Sequence, residues 1–600
     1  MHEHMKRTLA LILAVMLVVA LFAGCGGNTT STGSTTPATT DSTGSSTNTE
    51  TGSTANTNTE TNTETGSTET QADDNSPYHF AAGKFATDDR GIATEKYDYQ
   101  LPLTEQEETL TFWTVSWNPE YIPEDGFDSM EFPQELKAQT GVNVEYTIIT
   151  MDAMQSNYAV LLAADDLRDL MMHGVSYYSG TVKEAVEDGY FINIYDYREY
   201  CPNYMYEAAY RDTNDRATYS DVFYEDDFVY SFWDLYDGPV VNMGPVVRND
   251  WVEKIGMTRD GIRTWDDIYD MMVAEKAEGL STAPWQLINT VEISGAKFFS
   301  SFDTIGFTNT SALQTPFQTN GQVQMVHITD NDRNLMEYLN KCWNAGLIDP
   351  DWAGAASNND YLNKVDNVGF FATTASGIMT LEGNCNDPDA EFVTIRKVMR
   401  EPGQVLHVGE AASRKSYGET CVSATCENIP LAVTWCDFRY SNGAYNLINY
   451  GKEGYTWEYN DQGKVQLTDQ VLNNPEGLAT TWCLLLYALN NLADCGLEDS
   501  NRKLYYPGGE KYIEFNDVWY DFQYDGAWEW PFGLNLSDED QQTVNEYAGD
   551  YITYITENFT AFIDGSKPMS EWDAYVEGAK SIGGDAIAAI YQETLDAYNA

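Results

Sequence analysis

Six histidines are all this sequence offers to imidazole chemistry, and two of them stand at positions 2 and 4. His79, His173, His327 and His407 remain, none in the HExxH spacing that turns two imidazoles to one helical face around zinc. Cys421 and Cys426 have four residues between them and lack the CxxC pairing of a zinc knuckle or redox motif. No resident metal or cofactor is therefore expected. The 93 Asp and Glu residues allow a pair to be nominated for glycosidic acid–base work, which needs two carboxylates about 5 to 9.5 Å apart. No feature of the sequence singles out such a pair. What the chain has in quantity is rings: 40 Tyr, 24 Phe and 15 Trp, enough to fill a core and leave faces for stacking on a ligand.

Charge removes another class of partner. With 33 Lys and Arg against the acids, the formal net charge is −60, a field that repels a phosphate backbone. Nucleic acid is not an expected partner. At 600 residues and 42% apolar content, the chain is long enough for two or more folding units.

The amino terminus carries an export pattern. Lys6 and Arg7 precede an apolar run from Leu9 to Phe22, too short for the roughly 20 residues of a spanning helix and in the order of a signal peptide. The run ends in Leu21-Phe22-Ala23-Gly24-Cys25, which resembles the lipobox of bacterial lipoproteins, with Phe22 in the place usually taken by Leu. The resemblance implies that Cys25 is lipidated and becomes the mature amino terminus. From Gly26 to Ser76 there is no Val, Ile, Leu, Met or aromatic residue, so nothing there offsets the entropy of ordering. A disordered leash is expected, with a root-mean-square reach of roughly 40 Å. Eight further cysteines follow Cys25; their even number permits disulfides outside the cell, but their spacings form no framework, so paired and buried free thiols are both open.

The body alternates strand and helix signals. Leu110–Val115, Val142–Ile149 and Leu167–Met172 read as strands, with helices around Glu131–Gln139, Tyr158–Ala164 and Val182–Gly189 between and after them. Pro245–Trp251 runs from strand into helix, and Thr264 with Asp267 forms a capping box for a helix to Ala277. Further on, Arg333–Asn344 and Pro430–Tyr440 read as helices, Val368–Ala372 pairs with Ile378–Leu381 as strands, and Glu419–Ala424 is a strand. The end is helical, with Ile587, Tyr591, Leu595 and Tyr598 on one face. This is an α/β pattern, whose ligands bind beyond the carboxyl ends of the strands. The loops Ser116–Tyr121 and His173–Gly180 are the candidates.

The segment VVRNDWVEKIGMTRDGIRTWDDIY from Val246 to Tyr269 resembles the lipoprotein-type extracellular solute-binding proteins of carbohydrate ABC transporters (family 1). Gly346–Pro350, Trp435–Ser441, Asn449–Trp457 and Glu571–Val576 follow that family's later blocks in order. The resemblance implies a two-lobed periplasmic-binding-protein-like fold with crossing hinge strands and a ligand cleft between the lobes. Residues 77–600 would form the solute-binding body, the first lobe about 107–237 and 406–467, the second about 238–404 and 468–600. It further implies a monomeric, non-enzymatic component of an importer, anchored by lipid on the outer face of the cell membrane, with an oligosaccharide and the permease subunits as partners. Some members hold Ca²⁺ in an Asp- and Asn-rich loop; the matching Ala277–Pro284 has one carboxylate, where Ca²⁺ needs 6 to 8 oxygens.

A sugar site needs flat rings for its C–H patches and planar polar groups for its hydroxyls. The rings placed by this reading are Trp113, Trp117, Tyr177, Tyr178, Trp285 and Trp435, and the polar groups Asp250, Glu382, Asn384 and Arg414. For Trp113, inside a strand, a core role competes with a ligand role, and Asp250 competes as a helix cap. Arg414 and Lys415 form the basic pair that could favour an acidic sugar over the neutral one expected from the net charge. A lipid-anchored glycoside hydrolase would share the acidity, rings and anchor; a surface adhesin or sensor would share the fold without the transporter.

Overall fold

Three parallel strands open the folded body of the computed structural model, which describes residues 76–599 except 117–118, 152, 241–242, 288–297, 306–315, 356–357, 412, 476, 479, 489–493, 507–508 and 532–533. The expected signal peptide, Cys25, the leash before Ser76, and Trp117 lie outside the described residues. The chain runs along β1 (Glu108–Val115), through the helix Glu131–Thr140 to β2 (Val142–Ile149), and through the helix Met154–Ala164 to β3 (Leu170–Met172). β1 pairs in parallel with both neighbours, Phe112 opposite Tyr146 on one side and Leu170 on the other. Leu110 and Phe112 enter one apolar cluster while Trp113 and Val115 enter another, because successive side chains of a strand leave by opposite faces and this sheet is covered on both.

Local signals explain the turns between these elements. Gly141 stops the helix Glu131–Thr140 in the left-handed region, at φ 76°, and a Cβ there would stand 2.4 Å from the Thr104 carbonyl oxygen. Glycine meets both demands.

Next come β4 (Phe232–Tyr236) and a first crossing to β5 (Met243–Arg248), which starts the second lobe. That lobe contains the hairpin β6 (Phe317–Thr319) and β7 (Gln322–Gln324), then β8 (Phe370–Thr374) and β9 (Phe392–Thr394). β5 lies between β8 and β9, antiparallel to both. Val247 and Phe370 join a large core with Trp265, Leu339 and Phe559, while Val246, Phe371 and Phe392 pack on the other face. The capping box predicted for the helix Trp265–Ala277 is present: Asp267 N–H donates to Thr264 Oγ1 at 3.2 Å, and Thr264 N–H to Asp267 Oδ2 at 2.8 Å.

The second crossing contains β10 (Val405–Leu406) and returns on β11 (Lys415–Val422), antiparallel to β3 and β4. After the helix Ile429–Phe438 come the hairpin β12 (Trp457–Tyr459) and β13 (Val465–Leu467), and β14 (Leu497–Glu498), parallel to β4. The first sheet thus has the order β14-β4-β11-β3-β1-β2. A third crossing leads to β15 (Gln523–Tyr524), which pairs with β10, and to the terminal helices Asp538–Ile563, Trp572–Ala579 and Asp585–Asn599.

Three expectations change. Ile378–Leu381 lies in the helix Ala375–Asn384, capped by Thr374 Oγ1, which accepts from Gly377 N–H at 3.0 Å; a four-residue apolar run has no length to separate helix from strand. The stretch 468–600 is not wholly in the second lobe, since β14 belongs to the first sheet; two residues carry no alternation to read. Tyr598 is 59% exposed, whereas Ile587, Tyr591 and Leu595 are buried. All eight cysteines of the body are free thiols, and all but Cys385 are buried.

Candidate functional site

β11 lies between β3 and β4, so its side chains meet those at the end of β3 and along β4. Lys415, Tyr417 and Glu419 share a face by the two-residue period of a strand. Pairing with β4 shifts register between Lys415, opposite Leu235, and Glu419, opposite Trp233; such an irregularity re-aims side chains. On the reverse face Gly418 lets the Asp494 carbonyl approach to 2.0 Å from where a Cβ would stand, so no other residue fits there without displacing the strand.

Beyond β3 the chain turns at His173, whose φ of 48° is uncommon outside glycine. Its Nδ1 stands 2.5 Å from Glu419 Oε2, and the same oxygen accepts from Ser176 Oγ at 2.8 Å. Glu419 has no exposed side-chain surface. The imidazole ring is 4.9 Å from Tyr417, 5.4 Å from Tyr177 and 6.3 Å from Trp233, centroid to centroid. Lys415 Nζ lies 4.3 Å from the Trp233 ring centre and 3.0 Å from Asp221 Oδ1. Burial, and then Tyr417, push the Tyr177 hydroxyl well above the usual tyrosine range, so it stays an O–H donor.

The rings continue beyond this group. Trp233 is 6.1 Å from Tyr230, itself 6.1 Å from Tyr224. The Tyr224 carbonyl accepts from Asn535 Nδ2 at 2.6 Å, a contact with the segment that follows β15. An aromatic wall therefore runs from Tyr177 to the point where the two lobes touch, with Tyr417 45% exposed on a strand that has just crossed between them. Ser176 donates to Glu419 and not to His173, so the three do not line up as nucleophile, base and orienting acid.

Of the described candidates from sequence, Tyr177 joins this group. Trp113 is fully buried and its Nε1 donates to Asn157 at 2.7 Å. Trp285 is fully buried in the second core, stacked 6.0 Å from Trp265. Trp435 is fully buried with the Arg439 guanidinium 3.8 Å from its ring centre. None of these three presents a face, so their assignment to a ligand surface is corrected to core packing. Tyr178 turns to Asp188, its hydroxyl donating at 2.5 Å. Asp250 accepts from Arg248 Nε at 2.7 Å and from Glu391 N–H at 3.2 Å, and Glu382 accepts from Phe392 N–H at 3.3 Å; both tie together elements around β9. Asn384 is exposed at the end of its helix. Arg414 is buried between Glu207 at 3.2 Å and Asp215 at 2.9 Å, so its charge is spent inside the first lobe.

Trp233, Tyr417 and Glu419 are not among the site residues read from sequence, and His173 enters there as a possible metal ligand and as the first residue of the candidate loop His173–Gly180. The alternation Lys415-x-Tyr417-x-Glu419 is the signal for Tyr417 and Glu419, and a strand read from Glu419 to Ala424 leaves out its first two members, which the structure includes in β11.

No protein-family model matches the chain, and no curated protein matches it. Solved structures do resemble it. A solute-binding protein from Bifidobacterium longum infantis, described as HMO-binding and ABC-transporter associated, superposes with a TM-score of 0.63 at 16% identity, covering 82% of this chain and 99% of its own. Alginate-binding protein AlgQ2 gives a TM-score of 0.58 at 17% identity, with coverage of 82% and 99%. The S. pneumoniae ABC-transporter substrate-binding protein FusA, in complex with kestose, gives 0.57 at 18% identity, again covering 82% and 99%. With most of this chain and nearly the whole of each neighbour matched, the chain has the two-lobed α/β fold of the ABC-transporter solute-binding proteins.

Proposed function

We propose that this protein is the substrate-binding component of an ABC importer, capturing a neutral oligosaccharide between its lobes and delivering it to the permease, while lipid on Cys25 holds it to the outer face of the membrane. The observation that carries the proposal is the exposed Tyr417 on a crossing strand, flanked by His173, Tyr177 and Trp233, inside a fold shared with proteins that bind oligosaccharides. Stacking on sugar C–H faces is what such a wall supplies. The charges support a neutral ligand: in a chain of net charge −60, Arg414 is held by Glu207 and Asp215, and Lys415, over Trp233, is held by Asp221.

Calorimetry on the full chain with kestose, maltotriose and xylotriose tests the reading. Replacing Tyr417 by Ala is expected to cost about 2 kcal/mol with whichever sugar binds, as for a hot-spot ring, or roughly 30-fold in Kd. Unchanged affinity in Tyr417→Ala would remove the wall as the site. Shorter sugars recovered after overnight incubation with excess protein would instead favour a hydrolase.

Anchoring has its own test. Cys25→Ala is expected to appear in the soluble fraction or to be misprocessed, because the polar leash has no apolar group to hold a bilayer. If the variant sediments with membranes as completely as the parent, the anchor is elsewhere.

A further inference from the structure

We propose that His173 is the polar anchor of the ligand and that Glu419, bonded to its Nδ1, leaves Nε2 as a bare lone pair, so that the site favours sugars offering a hydroxyl donor over sugars offering a carboxylate. This rests on the oligosaccharide reading above and specifies the chemistry that reading leaves open.

The tautomer follows from the partners. A carboxylate can only accept hydrogen bonds, and Glu419 Oε2 also accepts from Ser176 while Oε1 accepts from Cys421 Sγ at 3.4 Å. The short contact to Nδ1 therefore needs the ring proton on Nδ1, which makes Nε2 of the neutral ring an acceptor. His173 is 8% exposed, and its Nε2 is buried with no hydrogen-bond partner. A buried polar atom without a partner is a standing cost that a donor arriving with the ligand would relieve. Tyr417, Tyr177 and Trp233 surround the imidazole, and Tyr417 is the nearest of the three rings at 4.9 Å and is 45% exposed.

Selectivity follows from the same geometry. A sugar hydroxyl can donate to Nε2. A uronate carboxylate brings only lone pairs, one imidazole ring away from the Glu419 carboxylate, and Lys415, the cation over Trp233, is already paired with Asp221. Glu419→Gln can turn either its amide oxygen or its amide N–H to Nδ1, and in both cases the negative charge behind the ring is gone, which removes the repulsion that a uronate meets there.

Two measurements on the full chain decide the matter. In ¹⁵N-histidine-labelled parent protein, the resonance lost in His173→Asn should show a protonated Nδ1 and an unprotonated Nε2. In calorimetry, the preference of the parent for a neutral trisaccharide (kestose, maltotriose or xylotriose) over trigalacturonate should fall at least ten-fold in Glu419→Gln. A proton found on Nε2 of the parent, or a preference within two-fold of the parent's in Glu419→Gln, overturns the inference while leaving the oligosaccharide reading intact. If no neutral trisaccharide binds the parent, that reading falls and the inference with it. Should Glu419→Gln fail to fold, the parent spectrum alone decides.

Discussion

Arg439→Ala is expected to destabilise the protein by roughly 3 to 5 kcal/mol, the range for stranding one member of a buried ion pair. Arg439 is wholly buried and bonds Asp494, which is 1% exposed. Its guanidinium covers the Trp435 ring at 3.8 Å, and Nη1 also donates to the Cys495 carbonyl at 3.3 Å. Removing it leaves the Asp494 charge in the core with Thr420 Oγ1 and the Cys495 N–H as donors, and opens space over Trp435. Two of its nitrogens, Nε and Nη2, have no partner, so the pair is incompletely compensated for its burial. Removing both charges in Arg439→Met with Asp494→Asn should therefore recover much of the loss. Urea unfolding of the two variants beside the parent checks this. A loss below 1 kcal/mol for Arg439→Ala would mean that water reaches Asp494.

A pH-dependent effect of similar size is expected at Glu275. This residue of the helix Trp265–Ala277 is wholly buried, and neither carboxyl oxygen has a hydrogen-bond partner. Burial, then the charge of Asp250, push its pKa up to about 8, against the pull of Arg248. The native state thus keeps a proton that the unfolded chain releases near its ordinary value of 4.5. Stability from this group is complete below pH 4.5 and is lost as pH rises toward 8, by about 1.4 kcal/mol per unit. The total is on the order of 5 kcal/mol across that window. Glu275→Gln cannot lose a proton, so its unfolding free energy should rise relative to the parent between pH 5 and 8 and stay level above. Parallel curves for the two proteins across that range would show that Glu275 is charged in the native state.

Much of the fold was legible because its signals are local. The strand β1, the helix that Gly141 ends, the Thr264–Asp267 capping box and the strand-to-helix turn at Arg248 each depend on residues within a few positions of one another. Where the local signal was thin, the reading failed, as at Ile378–Leu381 and at the two residues of β14. The tryptophans show a different limit. Trp113, Trp285 and Trp435 are as suited to stacking on a sugar as to filling a core, and the faces that bury them are supplied by residues far along the chain.

The alternation of strand and helix, the stops and caps, the export pattern and the negative charge are written in neighbouring residues, and from them an α/β body behind an anchored leash could be expected. The aromatic wall is of another kind. His173 and Glu419 are 246 residues apart, and they meet because β11 returns from the second lobe and inserts between β3 and β4. Strand order is set by long-range pairing, whose energy lies in contacts that no window of sequence contains. The same pairing places the Arg414 charge against Glu207 and Asp215 and leaves Tyr417 open, so which rings and charges remain for a ligand was decided only when the sheet closed.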